Sequence, residues 1–233
     1  MNLGQIRTKT RYFLDDDNSG TGQNVRWTDT EINSYINEAY RFYYNELMAH
    51  NYDGITKTIT MDLVSDDENV ELPEDWAKTR IIYRVGSDFD IPLQYGRNYD
   101  SYITKTGAGT SGYTPVYDYA GDEDGNNSLV LYPRPSFSET GGLKMIYWPQ
   151  MVELVNDADS PVFGFNVQWH DMIPLRSAIW AKGGREEEDV NNLSAMLKSS
   201  EDSFYNNIDK MTNARSYVES FDTGDFDGFG GGY

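Results

Sequence analysis

Cysteine is missing altogether from this chain of 233 residues, so disulfides, thiolate nucleophiles and cysteine metal sites are excluded. Histidine is nearly missing. His50 and His170 are the two, and neither lies in a motif with a nucleophile or a second nitrogen ligand. Structural roles are expected for both, His50 capping a helix end and His170 beside Trp169 on an amphipathic helix. Positive charge is scarce: 19 Lys and Arg stand against 38 Asp and Glu, for a formal charge of −19. Phosphate binding needs clustered cations, so the charge argues against a protein that wraps nucleic acid. An acidic surface can still line a passage to which DNA must not stick, or simply keep an aromatic-rich chain in solution. No stretch approaches the roughly 18 apolar residues of a membrane span. Residues 1–14 carry polar side chains every second or third position, unlike a signal peptide. A soluble protein made in the cytoplasm is expected. Three catalytic signatures are also absent: G-x-S-x-G, H-E-x-x-H and G-x-x-x-x-G-K-[ST]. Paired carboxylates abound, but nothing singles out one pair, so the expectation is a protein without catalysis, cofactor or metal.

What is abundant is aromatic. The 18 Tyr, 10 Phe and 5 Trp exclude a disordered polymer despite the polar average. They concentrate in residues 27–52. Thr28 and Glu31 form a capping box there. Ile32, Ile36, Ala39, Tyr43 and Leu47 recur at spacings of three and four, one buried helical face. Tyr35, Tyr40, Phe42 and Tyr44 widen that face until little of the helix suits water. A helix over 28–50 would span ~34 Å. So much apolar surface calls for partners on more than one side, from the rest of the chain or another copy of it.

Ahead of this helix, Leu3, Ile6, Thr10, Phe13 and Leu14 predict a short one, ended by an acidic loop. After it the period changes to two. Residues 55–63, 69–73, 80–85, 115–120, 128–132 and 143–148 read as strands, with a further short run at 91–93 and a short helix over 95–103. Turn signals between them predict a small antiparallel sandwich or barrel. Helical spacing returns at Val167 and runs through Trp169, Ile173, Ser177 and Trp180 until Gly183-Gly184. Glu186, Glu187, Glu188 and Asp189 open the next helix, where the dipole favours negative charge. Its Val190, Leu193, Leu197, Phe204, Ile208 and Met211 form a narrow seam, and the two helices form an αα-hairpin. The predicted class is therefore α+β. Residues 1–54 and 151–218 make one helical bundle, 55–150 an inserted antiparallel β module, and 219–233 a flexible Gly/aromatic arm.

Several patterns mimic ligand sites. Asp15, Asp17, Ser19 and Gly20 match the opening of an EF-hand calcium loop, but Arg26 occupies the twelfth position, where a carboxylate is needed. A helix-ending acidic loop is the better reading. Asp122, Asp124 and Gly125 form a second acidic turn. Gly107, Gly109 and Gly112 spell G-x-G-x-x-G, yet Tyr113-Thr114-Pro115 follows, which excludes the helix a dinucleotide site requires.

A series of short motifs carries a resemblance. Trp27-Thr28-Asp29-x-Glu31-Ile32 is followed by Ile36-Asn37-Glu38-Ala39, Val70-x-Leu72-Pro73-x-Asp75-Trp76 and Tyr113-Thr114-Pro115-x-Tyr117. Then come Leu129-x-Leu131-Tyr132-Pro133-x-Pro135, Met145-x-Tyr147-Trp148-Pro149 and Asp157-x-Asp159-x-Pro161. In this order, over about residues 1–210, they resemble the head-to-tail adaptor (connector) proteins of tailed, short-tailed above all, phages. The resemblance implies a virion protein of the neck, assembled in the host cytoplasm. Twelve identical subunits would form a ring beneath the portal protein, prolong the DNA channel without binding DNA tightly, and offer a platform to a tail or nozzle protein. Phe221, Phe226, Phe229 and Tyr233 of the arm, with Phe204 and Ile208 of the seam, would contact the portal or the next subunit. Two other classes stay open: a virion receptor- or carbohydrate-binding module using exposed Tyr and Trp, and a hydrolase using a carboxylate pair.

Overall fold

The computed structural model describes residues 1–16, 26–86, 90–96, 115–121, 127–161, 169–183 and 190–221, with side chains as far as 210. Two compact units emerge. One joins Met1–Ile55 to Met151–Tyr233 and the other is Thr56–Gln150.

The first unit holds four helices, α1 (Leu3–Phe13), α2 (Asp29–Ala49), α3 (Met172–Gly183) and α4 (Val190–Phe221). Both α1 and α2 begin with capping boxes. The Asn2 side chain accepts from the Gln5 amide at 2.9 Å, and Gln5 Oε1 accepts from the Asn2 amide at 3.0 Å. Thr28 and Glu31 do the same for α2, with Glu31 Oε2 2.8 Å from the Thr28 amide. Satisfying two orphan amides at each start fixes where the helices begin. Pro174 sits in the first turn of α3, where its missing N–H is not needed. The third helix packs against α1, α2 and α4, and α1 also touches α2. Helix α4 has 32 residues, ~48 Å of length at 1.5 Å per residue.

Helix α2 buries Ile32, Ile36, Ala39, Tyr40, Tyr43, Tyr44 and Leu47. After its first two residues, its exposed positions are Glu31, Ser34, Glu38, Arg41, Asn45 and Ala49, a single stripe at spacings of three and four that is polar as far as Asn45. Of the two covers expected for this apolar surface, the rest of the chain or another copy, the rest of the chain buries these seven residues. Tyr40, Tyr43 and Leu47 are each 0% exposed.

The second unit is a pair of four-stranded sheets. Its strands are β1 (Lys57–Leu63), β2 (Asn69–Glu71), β3 (Trp76–Arg84), β4 (Ile91–Pro92), β5 (Gln94–Tyr95), β6 (Val116–Gly121), β7 (Asn127–Tyr132) and β8 (Glu139–Pro149). The sheet orders are β1-β8-β3-β4 and β2-β7-β6-β5. Met61, Leu63, Ile82, Leu143 and Met145 from one sheet meet Val70, Leu129 and Leu131 from the other in a shared core. Leu93, buried between β4 and β5, carries the chain from one sheet to the other, its amide donating to Ile82 O at 2.8 Å.

Three details differ from the sequence reading. Strands β3 and β8 start earlier, at Trp76 and Glu139, because cross-strand pairing extends a strand beyond its apolar run. Tyr95 belongs to β5 rather than to a helix, and the remainder of the helix expected over 95–103 lies outside the described residues, Gly96 apart. Strand β5 pairs parallel with β6, through Gln94↔Val116 and Tyr95↔Tyr117, inside an otherwise antiparallel sheet.

Candidate functional site

The most elaborate side-chain constellation lies where α2, α3 and α4 meet. Arg176 of α3 pairs with Glu201 of α4, and its Nε donates to Tyr43 Oη of α2 at 3.0 Å. Tyr43 in turn donates to Glu201 Oε1 at 2.6 Å. The guanidinium lies 3.8 Å from the Phe42 ring centroid and 5.5 Å from that of Trp180. Burial, and next the Glu201 carboxylate, push the Tyr43 hydroxyl far above its ordinary value. Three helices are thus tied by one desolvated cation, its counterion and a phenol that stays protonated. Phe204 packs against this junction, edge to face with Tyr43 at 6.1 Å and with Trp169 at 5.4 Å. The chemistry is that of a closed clamp. The carboxylate beside the Tyr43 hydroxyl is already engaged by the Arg176 guanidinium, and the phenol is held in its protonated form.

A second constellation stitches residues 151–161 onto α1 and α2. Asn37 reads the backbone of Leu154 from both sides, accepting its N–H at 2.8 Å and donating to its carbonyl at 3.0 Å. Arg7 pairs with Asp157 at 2.7 Å, and Arg41 pairs with Glu153. The first amides of α1 are used too: Leu3 N donates to Asp159 O at 2.7 Å and Gly4 N to Asp157 O at 3.1 Å. The Asp159 carboxylate accepts the amides of Asn156 and Val155 at 2.7 and 2.9 Å, which hold its pKa below the ordinary value. The strap is therefore fixed along its length, and it presents Val152 and Val155 outward, 70% and 72% exposed.

A third cluster closes the base of the acidic loop. Arg11 binds Asp16, donates to Trp27 O at 3.1 Å and reaches Asp29 at 2.7 Å. Asp16 also accepts the Arg26 amide at 3.4 Å. Asp15 lies 3.6 Å from the buried ammonium of Lys182. Asp15, the first position of the calcium-like pattern, thus already faces a cation, as does its neighbour Asp16. Asp17, Ser19 and Gly20 lie outside the described residues, as do the turn at Asp122, Asp124 and Gly125 and the glycines 107, 109 and 112. Among the described residues no group of three His, Asp or Glu could hold a metal, and no helix is long and apolar enough to cross a membrane.

The two histidines make structural contacts. His50 caps α2 and its Nδ1 lies 3.2 Å from Asp209, while His170 Nδ1 lies 2.9 Å from the Met1 amine. The aromatic side chains that could have formed a sugar platform turn mostly inward. Tyr117 and Tyr119 sit opposite the core residues Leu131 and Leu129, and Trp76 stacks on Tyr119 at 5.3 Å. Burial raises the hydroxyl pKa of both tyrosines. Tyr95, 48% exposed, is the member of that group that faces solvent.

Of the expected contact residues, Phe204 and Ile208 are 0% and 1% exposed. Their side chains are used in the interior of the helical unit, so a partner could not reach them without opening it. Phe221 ends α4, and Phe226, Phe229 and Tyr233 lie outside the described residues. The strap and the Arg176 junction escaped the sequence reading. Asp157-x-Asp159-x-Pro161 was visible as a turn, but a contact between Asn37 and Leu154 spans 117 positions and leaves no local signal.

The family model described as SU10 adaptor protein matches residues 1–220. No curated protein matches the chain.

Proposed function

The chain belongs to the SU10 adaptor protein family, and on that footing we propose that it is a structural protein of the phage virion that joins head to tail. Copies of it form a ring beneath the portal protein, lengthen the DNA channel and give the tail or nozzle protein a platform. The helices of 1–54 and 151–218 act as one bundle, with 55–150 as its inserted β module. The observation that carries this reading is the extent of the match, which takes in both units and all but the last residue of α4. The side-chain constellations agree with it, since they stitch the helices and the strap together. The charge of −19 suits a passage through which DNA slides without adhering.

The contact to the portal or to the next subunit falls to the segment beyond the match, where Phe226, Phe229 and Tyr233 are interspersed with glycine. Each aromatic can fill a partner's pocket, and a glycine-rich backbone orders only when such contacts offset its entropy. Because α4 continues to Phe221, the segment is cut at 222. Light scattering and electron microscopy of the protein with its portal test the proposal. A ring coaxial with the portal is expected, weakened by deleting 222–233 and by Phe226→Ala with Phe229→Ala. A monomer in both conditions, with no mixed particle, contradicts it.

A further inference from the structure

We infer that residues 222–233 of one copy of the chain dock on the outer face of the sheet β1-β8-β3-β4 of another copy. The inference rests on the contact role proposed above for that segment and names its receptor. The strand register defines the face. Ile82 pairs with Met145 on the core side, so Ile81↔Ile146, Tyr83↔Lys144 and Lys78↔Trp148 stand on the opposite side. Thr58 of β1 is aligned with Ile146 there, and Thr60 with Lys144. An antiparallel sheet packed on one face ordinarily turns polar side chains outward on the other. This sheet turns out Ile81, Ile146 and Tyr83, each partly exposed.

Cations stand among these side chains. The Lys78 ammonium lies 4.8 Å from the Trp148 ring centroid, and that of Lys144 lies 5.7 Å from the Tyr83 centroid. Lys144 also pairs with Asp90 at 2.9 Å, and Asp62 of β1 accepts the Gly141 amide at 2.6 Å. An ammonium has three donors, so one pairing leaves it open to a second anion. The occupant follows from charge. With 38 acids against 19 Lys and Arg, most of this chain disfavours an acidic segment. Residues 222–233 carry Asp222, Asp225 and Asp227, no Lys or Arg, and the rings of Phe226, Phe229 and Tyr233. Rings set between anions match an apolar patch set between cations. The exposed Val152 and Val155 of the strap give no such match, because Glu153, Asp157 and Asp159 lie close to them in the chain.

Because the chain holds no cysteine, single-cysteine variants of the full-length protein test the contact by disulfide trapping. Gly228→Cys is mixed with Thr58→Cys, or with Val155→Cys as the control, and oxidised. Covalent heterodimer is expected to form faster with Thr58→Cys than with the control. Lys78→Gln with Lys144→Gln in the acceptor should slow it about two- to tenfold, the worth of two exposed ion pairs. Phe226→Ala with Phe229→Ala in the donor should slow it as well. Equal rates for the two acceptors, no effect of these changes, or a disulfide that forms only within a chain carrying both cysteines overturns the inference. A ring on the portal that persists alongside such a result leaves the adaptor reading standing. Trapping between copies that make no ring on the portal supports the docking and contradicts the ring.

Discussion

The two units solve the same problem, a covered interior, by different chemistry. The β unit is one continuous stretch of chain, Thr56–Gln150. Its core of Leu, Ile, Val and Met is backed by Tyr147; the buried Arg84 pairs with Glu139 and donates to Gly142 O at 3.0 Å, and further polar contacts lie nearer the margin. There Tyr147 Oη donates to Asp75 at 2.8 Å and Lys57 pairs with Asp75 at 2.5 Å. The helical unit is made of two stretches separated by the whole β unit, and its interior is polar as well as aromatic. Tyr43, Arg176 and Glu201 meet among three helices, and Asn37 fastens a strap 117 positions away. Aliphatic burial is non-directional and tolerates exchange of like for like. Directional contacts between distant segments specify which segment docks where, and they fail abruptly when one member is removed.

The largest effect should come from cutting the chain at the unit boundaries. Residues 56–150 alone should give a β-type circular dichroism spectrum and a cooperative melt, because their core needs nothing from elsewhere. Residues 151–233 alone should not fold, since α3 would lose both α1 and α2. A folded C-terminal fragment would break the contrast.

Next in size is Glu201→Ala. It leaves the partly buried Arg176 cation without its counterion, which should cost about 1–3 kcal/mol. The matching change in the β unit, Asp75→Asn, removes a pair that is 57% and 35% exposed on its two sides and should cost at most about 1 kcal/mol. Denaturant titration of both variants compares them directly. Equal losses would mean that the Arg176 junction is an ordinary surface contact.

A comparable or smaller loss is expected for Asn37→Ala. It strands the N–H and carbonyl of the half of the strap that buries Leu154, at a cost of about 1–3 kcal/mol. Proteolysis should then cut within 151–161 before it cuts elsewhere in the helical unit.

The smallest effect is acid sensitivity. The hydrogen bond from Arg11 lowers the pKa of Asp29, and that from Lys57 lowers the pKa of Asp75, both from an ordinary 3.8. A carboxylate lowered in the folded state contributes stability that is complete above its unfolded pKa and is lost as pH falls through its folded one. Each unit should therefore weaken slightly below about pH 4, by under about 1 kcal/mol per group because both carboxylates are partly exposed. Asp29→Asn and Asp75→Asn should flatten that decline.

Those differences decide what could be read from sequence. Helix α2 was legible to within a residue because its capping box and its 3.6-residue period are local. Strands β1, β2 and β7 were legible for the same reason. The parallel pairing of β5 with β6 was not, because two-residue strands carry no period of their own. The inward packing of Phe204 and Ile208 was not legible for a different reason. A seam tells which face of α4 is apolar but not whether the cover is the same chain. Here Tyr43 and Trp169, remote in sequence, supply it for Phe204. The Arg176 junction had no sequence signal at all, since its three members come from three helices.

Of all measurements, the composition of particles made without this protein bears most directly on the adaptor reading. A phage carrying an early stop in the corresponding gene should yield heads that lack tails, and adding the purified protein to such an extract should restore tailed particles. Tailed, infectious particles formed at the normal level in its absence would contradict the account.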